Sequence, residues 1–231
     1  MSGKFMKYDI LYRPVYSLLR VEMDVGESIS AESGAMVTMT PNIEIQTSAR
    51  GGLLSSLKRS MLGGESFFQN TFTCKNGKGA ITFGPSYMGD VEHIPLSGEW
   101  MVQGGSYLCS TSGLSIDTKF QGFKGIVSGE SLFFLRIFGQ GDLFISSFGA
   151  IHPIDLQPGE EIRVDTGNLV AFQQGVSYTV ERVGGIRSTV LSGEGLVLRM
   201  KGPGRIYIQT RSPQSFIGWL YPLLPKPQQG H

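Results

Sequence analysis

The stretch Arg20–Met39, RVEMDVGESISAESGAMVTM, decides how the rest of the chain is read. It holds an apolar-polar run, a Gly-Glu pair, a second run and a small-residue turn at Gly34. The same order returns at Glu92–Thr111, EHIPLSGEWMVQGGSYLCST, and at His152–Phe172, HPIDLQPGEEIRVDTGNLVAF, with Gly105 and Gly167 in the place of Gly34. Alternation with period two, cut by glycine turns, is strand patterning.

A second pattern lies between these copies. It runs Gly-Glu, an aromatic-rich strand, Gly-x-Gly, then another strand: GGESFFQNTFTCKNGKGAITF from Gly63, SGESLFFLRIFGQGDLFIS from Ser128 and SGEGLVLRMKGPGRIYIQT from Ser192. Together the two patterns place six Gly-Glu pairs, at Gly26, Gly64, Gly98, Gly129, Gly159 and Gly193. Chance would place about two among 32 Gly and 12 Glu in 231 residues, so a repeat is indicated. Glu65, Glu130 and Glu194 are 65 and 64 residues apart, and Gly79, Gly141 and Gly204 are 62 and 63 apart. The expected organisation is three tandem repeats, residues 1–91, 92–151 and 152–231, the last carrying an apolar tail, in one compact unit.

The expected fold class is all-β. Short strands at regular spacing predict β-sandwich or double-stranded β-helix units around a pseudo-threefold axis, with few short helices. Gly-Glu is read as a turn in which Gly bends the chain and Glu keeps the loop tip wet. The second Gly of each Gly-x-Gly is expected at positive φ, which other residues reach at a cost. SLFFLRIF, at 131–138, is apolar on both faces apart from Arg136, so the middle repeat is expected to be the most enclosed. Gly51–Gly64 reads as a short amphipathic helix or a loop lid. Phe216, Trp219, Leu220 and Leu223 form a helical stripe that Pro222 and Pro225 stop, and Lys226–His231 is expected to be disordered.

Composition narrows the function classes. Charged residues make up 17% and apolar residues 40%, which describes a globular chain with surface to be covered by other chains. A net charge of +1 supplies no global field to recruit nucleic acid or a membrane. Cys74 and Cys109 make no disulfide framework and read as buried thiols of a cytoplasmic protein. No apolar run approaches the ~20 residues of a membrane span.

Chemistry-bearing sets are sparse. His93 and His152 precede the Gly-Glu pair in their repeats; they read either as a metal-binding pair at a symmetry axis or as strand-end histidines satisfied by backbone. Glu65, Glu130 and Glu194 would form a cation site only if threefold closure brought them together. Arg199, Lys201, Arg205, Tyr207 and Arg211 form a basic strand face, read either as an anionic-ligand surface (lipid headgroup or RNA) or as a solvated face paired with nearby carboxylates. On β alternation Arg205, Tyr207, Gln209 and Arg211 point outward, and Ile206 and Ile208 inward. No catalytic set, cofactor or metal is expected.

The stretches GESISAESGAMVTM, GGLLSSLKRSMLGGESFF, GQGDLFISSFGAIHPIDL, VDTGNLVAF and SGEGLVLRMKGPGRIYIQTRSP resemble a bacterial and archaeal family of uncharacterised proteins. That family is related to eukaryotic mitochondrial-biogenesis proteins of the altered-inheritance-of-mitochondria group, and the resemblance runs from about Lys7 to Trp219. It implies a triplicated β fold similar to the trp RNA-binding attenuation protein, assembled as a homo-oligomer, a trimer, with no established catalytic activity. The family pattern often has His where this chain has Asn168, which weakens a metal reading. Similarity of fold does not carry RNA binding across. The expected partners are further copies of the chain and an unidentified protein; nucleic acid is not expected, and no motif supports a peripheral membrane contact.

Overall fold

The computed structural model describes residues 6–48, 69–117, 133–182 and 196–225. Glu65, Glu130, Glu194, the Gly51–Gly64 stretch and Lys226–His231 lie outside the described residues. The first segment holds β1 (Lys7–Leu11), β2 (Leu18–Met23), β3 (Ser28–Glu32), β4 (Met36–Met39), β5 (Ile43–Ser48), β6 (Gln69–Cys74) and β7 (Gly79–Phe83). The middle segment holds β8 (Val91–Gln103), β9 (Tyr107–Thr111), β10 (Leu114–Asp117) and β11 (Phe134–Ser146). The last segment holds β12 (Ile151–Leu156), β13 (Glu161–Asp165), β14 (Leu169–Gln173), β15 (Ser177–Arg182), β16 (Leu196–Lys201) and β17 (Gly204–Gln209), then helix α1 (Pro213–Leu220). The molecule is all-β, as the patterning requires.

The strands form three antiparallel sheets among the described residues. One is β1-β2-β7-β4; one is β12-β17-β14-β8-β11-β9-β3-β6-β5, with β10 also on β11; one is β13-β16-β15. Pairings recur from segment to segment. β2 pairs β7 and β12 pairs β17, as the first half of β8 pairs the second half of β11. β3 pairs β6 and β13 pairs β16, as the second half of β8 pairs the first half of β11. A bulge recurs as well. β4 on β7, β9 on β11 and β14 on β17 each skip one residue, leaving Val37, Leu108 and Val170 out of register. Between segments, β3 pairs β9 and β8 pairs β14.

β8 and β11 are each 13 residues long and pair throughout. Gly98 and Gly139 face each other at mid-strand with φ of +123° and +125°, the region that disfavours a Cβ. Each long strand therefore serves two halves of the sheet without a loop. Gly98-Glu99 is thus no turn, contrary to the sequence expectation. Glu99 instead takes Arg136 at 2.6 Å across the strand pair.

The other two first-type pairs do bend the chain, with Gly26 at φ +84° and Gly159 at +83°. Their glutamates also bond back to the turn. The Glu27 carboxylate accepts the Asp24 N–H at 2.8 Å, and that of Glu160 accepts the Gln157 N–H at 2.9 Å. Each backbone N–H of the glutamate also returns to the carbonyl three residues back. The pair is a turn closed from both ends, the logic of a capping box. The Gly-x-Gly expectation holds only for Gly204. In the other two copies the first glycine, Gly77 or Gly139, carries positive φ. Gly79 and Gly141 are there for space: a Cβ at Gly79 would meet Ile43 and Cys74 near 3 Å, and one at Gly141 would meet Thr111 Oγ1 at 2.3 Å.

Three clusters of apolar side chains fill the spaces between sheets. The first gathers Leu19, Val21, Ile29, Phe72 and Phe83 and takes in Leu108, Cys109 and Phe144 from the middle segment. The second gathers Leu96, Leu135, Ile137 and Leu143 and takes in Val170, Ala171 and Tyr207 from the last segment. The third gathers Val164, Leu198, Met200 and Ile206 with Met101 and Phe134 of the middle segment. Phe134, Leu135 and Ile137 are all fully buried, so this strand is covered on both faces, as its composition demands. Cys74 and Cys109 are free and buried. Helix α1 starts at the Ser212 N-cap with Pro213 behind it, and Phe216 packs edge-on to Phe148 at 5.4 Å. Among the described residues no helix is long and apolar enough to cross a membrane.

Candidate functional site

The basic strand face is largely occupied by its own carboxylates. Arg199 on β16 lies beside Glu161 on β13, its Nε 2.8 Å from Oε2, and Lys201 Nζ lies 3.2 Å from the other oxygen. Arg199 also reaches Glu181 on β15 at 3.6 Å, and Arg163 reaches the same carboxylate at 3.0 Å. Five charges thus form one network across β13-β16-β15. Hydrogen bonds from Arg199, then Lys201, hold the Glu161 carboxyl below its ordinary value. Arg205 grips Asp155 with two parallel bonds of 2.7 and 2.8 Å, the fork geometry of guanidinium on carboxylate. That bond raises the Arg205 guanidinium and lowers the Asp155 carboxyl.

Tyr207 is not on the exposed face. It is buried in the second cluster, 5.5 Å from the Trp100 ring. Burial raises its phenol above the ordinary value, partly offset by a hydrogen bond from Arg205. The alternation rule failed because β17 is covered on both sides: Ile206, Tyr207 and Gln209 are all buried. Gln209 is satisfied by the Phe148 N–H and the Gly167 carbonyl, each at 2.8 Å. Asn168, the position where the family pattern often has His, donates to the Gln209 carbonyl at 2.8 Å. Arg211, beyond the strand, is exposed.

The two histidines do not occupy matching places. His93 lies opposite Phe144 and His152 opposite Ile208, whereas Ile145, not Phe144, stands at the Ile208 position counted from Gly141 and Gly204. One step of register turns a side chain to the other face of a sheet. His152 is exposed. Among the described residues no three His, Cys, Asp or Glu side chains are grouped to hold a metal ion.

His93 belongs to a chain of polar groups that sequence reasoning missed. Its Nε2 lies 2.7 Å from Asp142 Oδ1, and its Nδ1 lies 2.8 Å from the Tyr8 hydroxyl. With Nε2–H donating to the carboxylate, Nδ1 accepts from Tyr8 O–H, and a neutral ring satisfies both ends. Asp142, buried in β11, also accepts the Met6 N–H at 2.9 Å. Rings of Tyr8, His93 and Phe144 sit with centroids 4.5–5.0 Å apart. Burial, then the charges of Asp142 and Glu92, raises the Tyr8 phenol.

A second buried carboxylate works alongside. Asp90 accepts two bonds of 2.9 Å from Arg13, one of 2.8 Å from Ser17 Oγ and one of 2.8 Å from the Val91 N–H. Arg13 also reaches Glu92 at 2.7 Å. Asp90 and Asp142 thus fasten residues 6–17 onto the middle segment. The available signal was Asp142 itself, an acidic residue directly before the apolar run LFIS of a doubly covered strand, which requires a buried partner. The chain Asp142–His93–Tyr8 is the shape of a proton relay, yet each end is already taken up in holding β1.

A family model described as mitochondrial biogenesis AIM24 matches residues 8–211. An uncharacterised protein of Streptococcus pyogenes serotype M6 is 28% identical over 234 residues, covering 97% of this chain and 94% of that one. The crystal structure of protein SPYM3_0169 from Streptococcus pyogenes superposes with a TM-score of 0.80 at 27% identity, covering 95% of this chain and all of that one.

Proposed function

The chain belongs to the mitochondrial biogenesis AIM24 family, and from that premise we propose that it is a non-catalytic structural or interaction protein that works as a homo-oligomer. One observation carries the reading. All three sheets end on strands with a free side among the described residues, and β4, at one end of β1-β2-β7-β4, and β13, at one end of β13-β16-β15, are two of these edges. Unpaired sheet edges template pairing with another chain unless they are blunted or covered. The recurrent pairings and recurrent bulge support three copies of one unit, the triplicated arrangement expected from the resemblance, and the family likeness favours closure as a trimer.

The polar groups support the same reading. The chain Asp142–His93–Tyr8 holds a strand, and most of the basic face is spent in ion pairs. An anionic-ligand surface would have to displace Glu161 from Arg199 and Asp155 from Arg205 before binding anything. A cytoplasmic location is part of the proposal and rests on the reduced, buried cysteines. Light scattering on the purified chain at micromolar concentration tests the assembly. A mass of several chains is expected, and a clean monomer withdraws the reading.

A further inference from the structure

We infer that the third junction of this fold forms between molecules: β13 of one copy pairs antiparallel with β4 of the next, with Arg163 opposite Met39. This deepens the homo-oligomer reading above and rests on it. The chain contains the same junction twice already. β3 pairs β9 with Ser30 opposite Ser110, and β8 pairs β14 with Met101 opposite Phe172. In each case the third residue of one five-residue run (Ser28–Glu32, then Glu99–Gln103) faces the fourth residue of the other (Tyr107–Thr111, then Leu169–Gln173). The remaining run of the first kind is Glu161–Asp165, and the remaining run of the second kind is Met36–Thr40. Their third and fourth residues are Arg163 and Met39. The bulge after the first residue of β4, β9 and β14 sets this count without any choice of alignment.

The burial pattern points to the same partner. Leu108 and Val170, the bulge residues of the two internal junctions, are 1% and 0% exposed. Val37, their counterpart on β4, is 57% exposed. The first cluster is completed by Leu108, Cys109 and Phe144, and the second by Val170, Ala171 and Tyr207. Those triplets correspond to Val37, Thr38 and Thr82. The third cluster takes in no such triplet, and Ile162, Tyr178 and Val180 at its β13-β15 wall remain only partly buried. The missing cover has the shape of β4 and β7, and a second copy is what supplies it. The contact is head-to-tail, so repetition closes into a ring or runs on as a filament.

The test uses the full chain. Met39→Cys and Arg163→Cys variants are made separately, mixed in equal amounts and mildly oxidised; Cys74 and Cys109 are buried and do not compete. A disulfide-linked dimer is expected in the mixture and not in either variant alone. In parallel, Val37→Lys, at a position exposed in the single chain, is expected to weaken assembly about 100-fold or more by sedimentation, since it buries an unpaired ammonium at the junction. Its thermal midpoint as a dissociated chain should match that of the dissociated parent. If the parent assembles while Val37→Lys assembles equally and no mixed disulfide forms, this junction is wrong and another face makes the oligomer. A doubly substituted chain that crosslinks only within itself also overturns the proposal. A parent that stays monomeric removes both this inference and the reading beneath it.

Discussion

The two long strands of the middle segment and the outer sheet β13-β16-β15 are built from the same pairing scheme and held by different forces. β8 and β11 meet along 13 residue pairs and carry apolar side chains on both faces; Leu135, Ile137, Leu143 and Ile145 in the second cluster, and Phe134 and Phe144 in the third and first, are all fully buried. The outer sheet has one apolar face and one charged face, on which Arg163, Glu181, Arg199, Glu161 and Lys201 are linked. Burial of apolar surface contributes roughly 25 cal/mol per Å2, while exposed ion pairs contribute little because water and salt screen them. The middle segment therefore carries the stability, and the outer sheet retains a surface whose strength depends on conditions.

The sharpest way to break this contrast is Ile137→Ala. It leaves a cavity in a fully packed strand and is expected to cost about 2–5 kcal/mol in urea denaturation. A loss no larger than that of an exposed substitution would mean that the middle segment is not the stable one. Next in size is Asp142→Ala, expected to cost about 2–3 kcal/mol, because the Met6 N–H and His93 Nε2–H lose their buried acceptor. Proteolysis should then release residues 6–17 before the rest; unchanged protection would show that Asp142 does not hold that segment.

The smallest effect is expected at Glu161, and it shows in acid. A carboxyl with a lowered folded-state value stabilises the fold above its unfolded value near 4.5, and that contribution is lost as pH falls through the lowered value. Glu161→Gln should therefore flatten the acid limb of a stability–pH curve below about pH 4.5 and leave the shape at pH 6–8 unchanged. An identical acid limb would place the acid sensitivity elsewhere.

Much of the fold class was legible. Period-two alternation between glycine turns can be satisfied only by strands, and the doubly apolar run around Phe134 and Leu135 announced a strand covered on both faces. The site was less legible. Tyr207 was misplaced because alternation assumes one wet face, and β17 lies between two cores. Tyr8, His93 and Asp142 are separated by up to 134 residues in sequence, and no local pattern announces that they touch. Gly98-Glu99 looks like its counterparts in sequence, yet facing a second positive-φ glycine turned it from a turn into a mid-strand kink.

By itself the sequence determined the strand patterning, the bends at Gly26 and Gly159, and which family motifs the chain carries, because these depend on local steric and hydrophobic preferences. Only the tertiary structure decided which carboxylates are buried, which arginines are already paired, and which strands lie at sheet edges. Those outcomes depend on contacts between distant strands, whose free energies enter only once the sheets have packed.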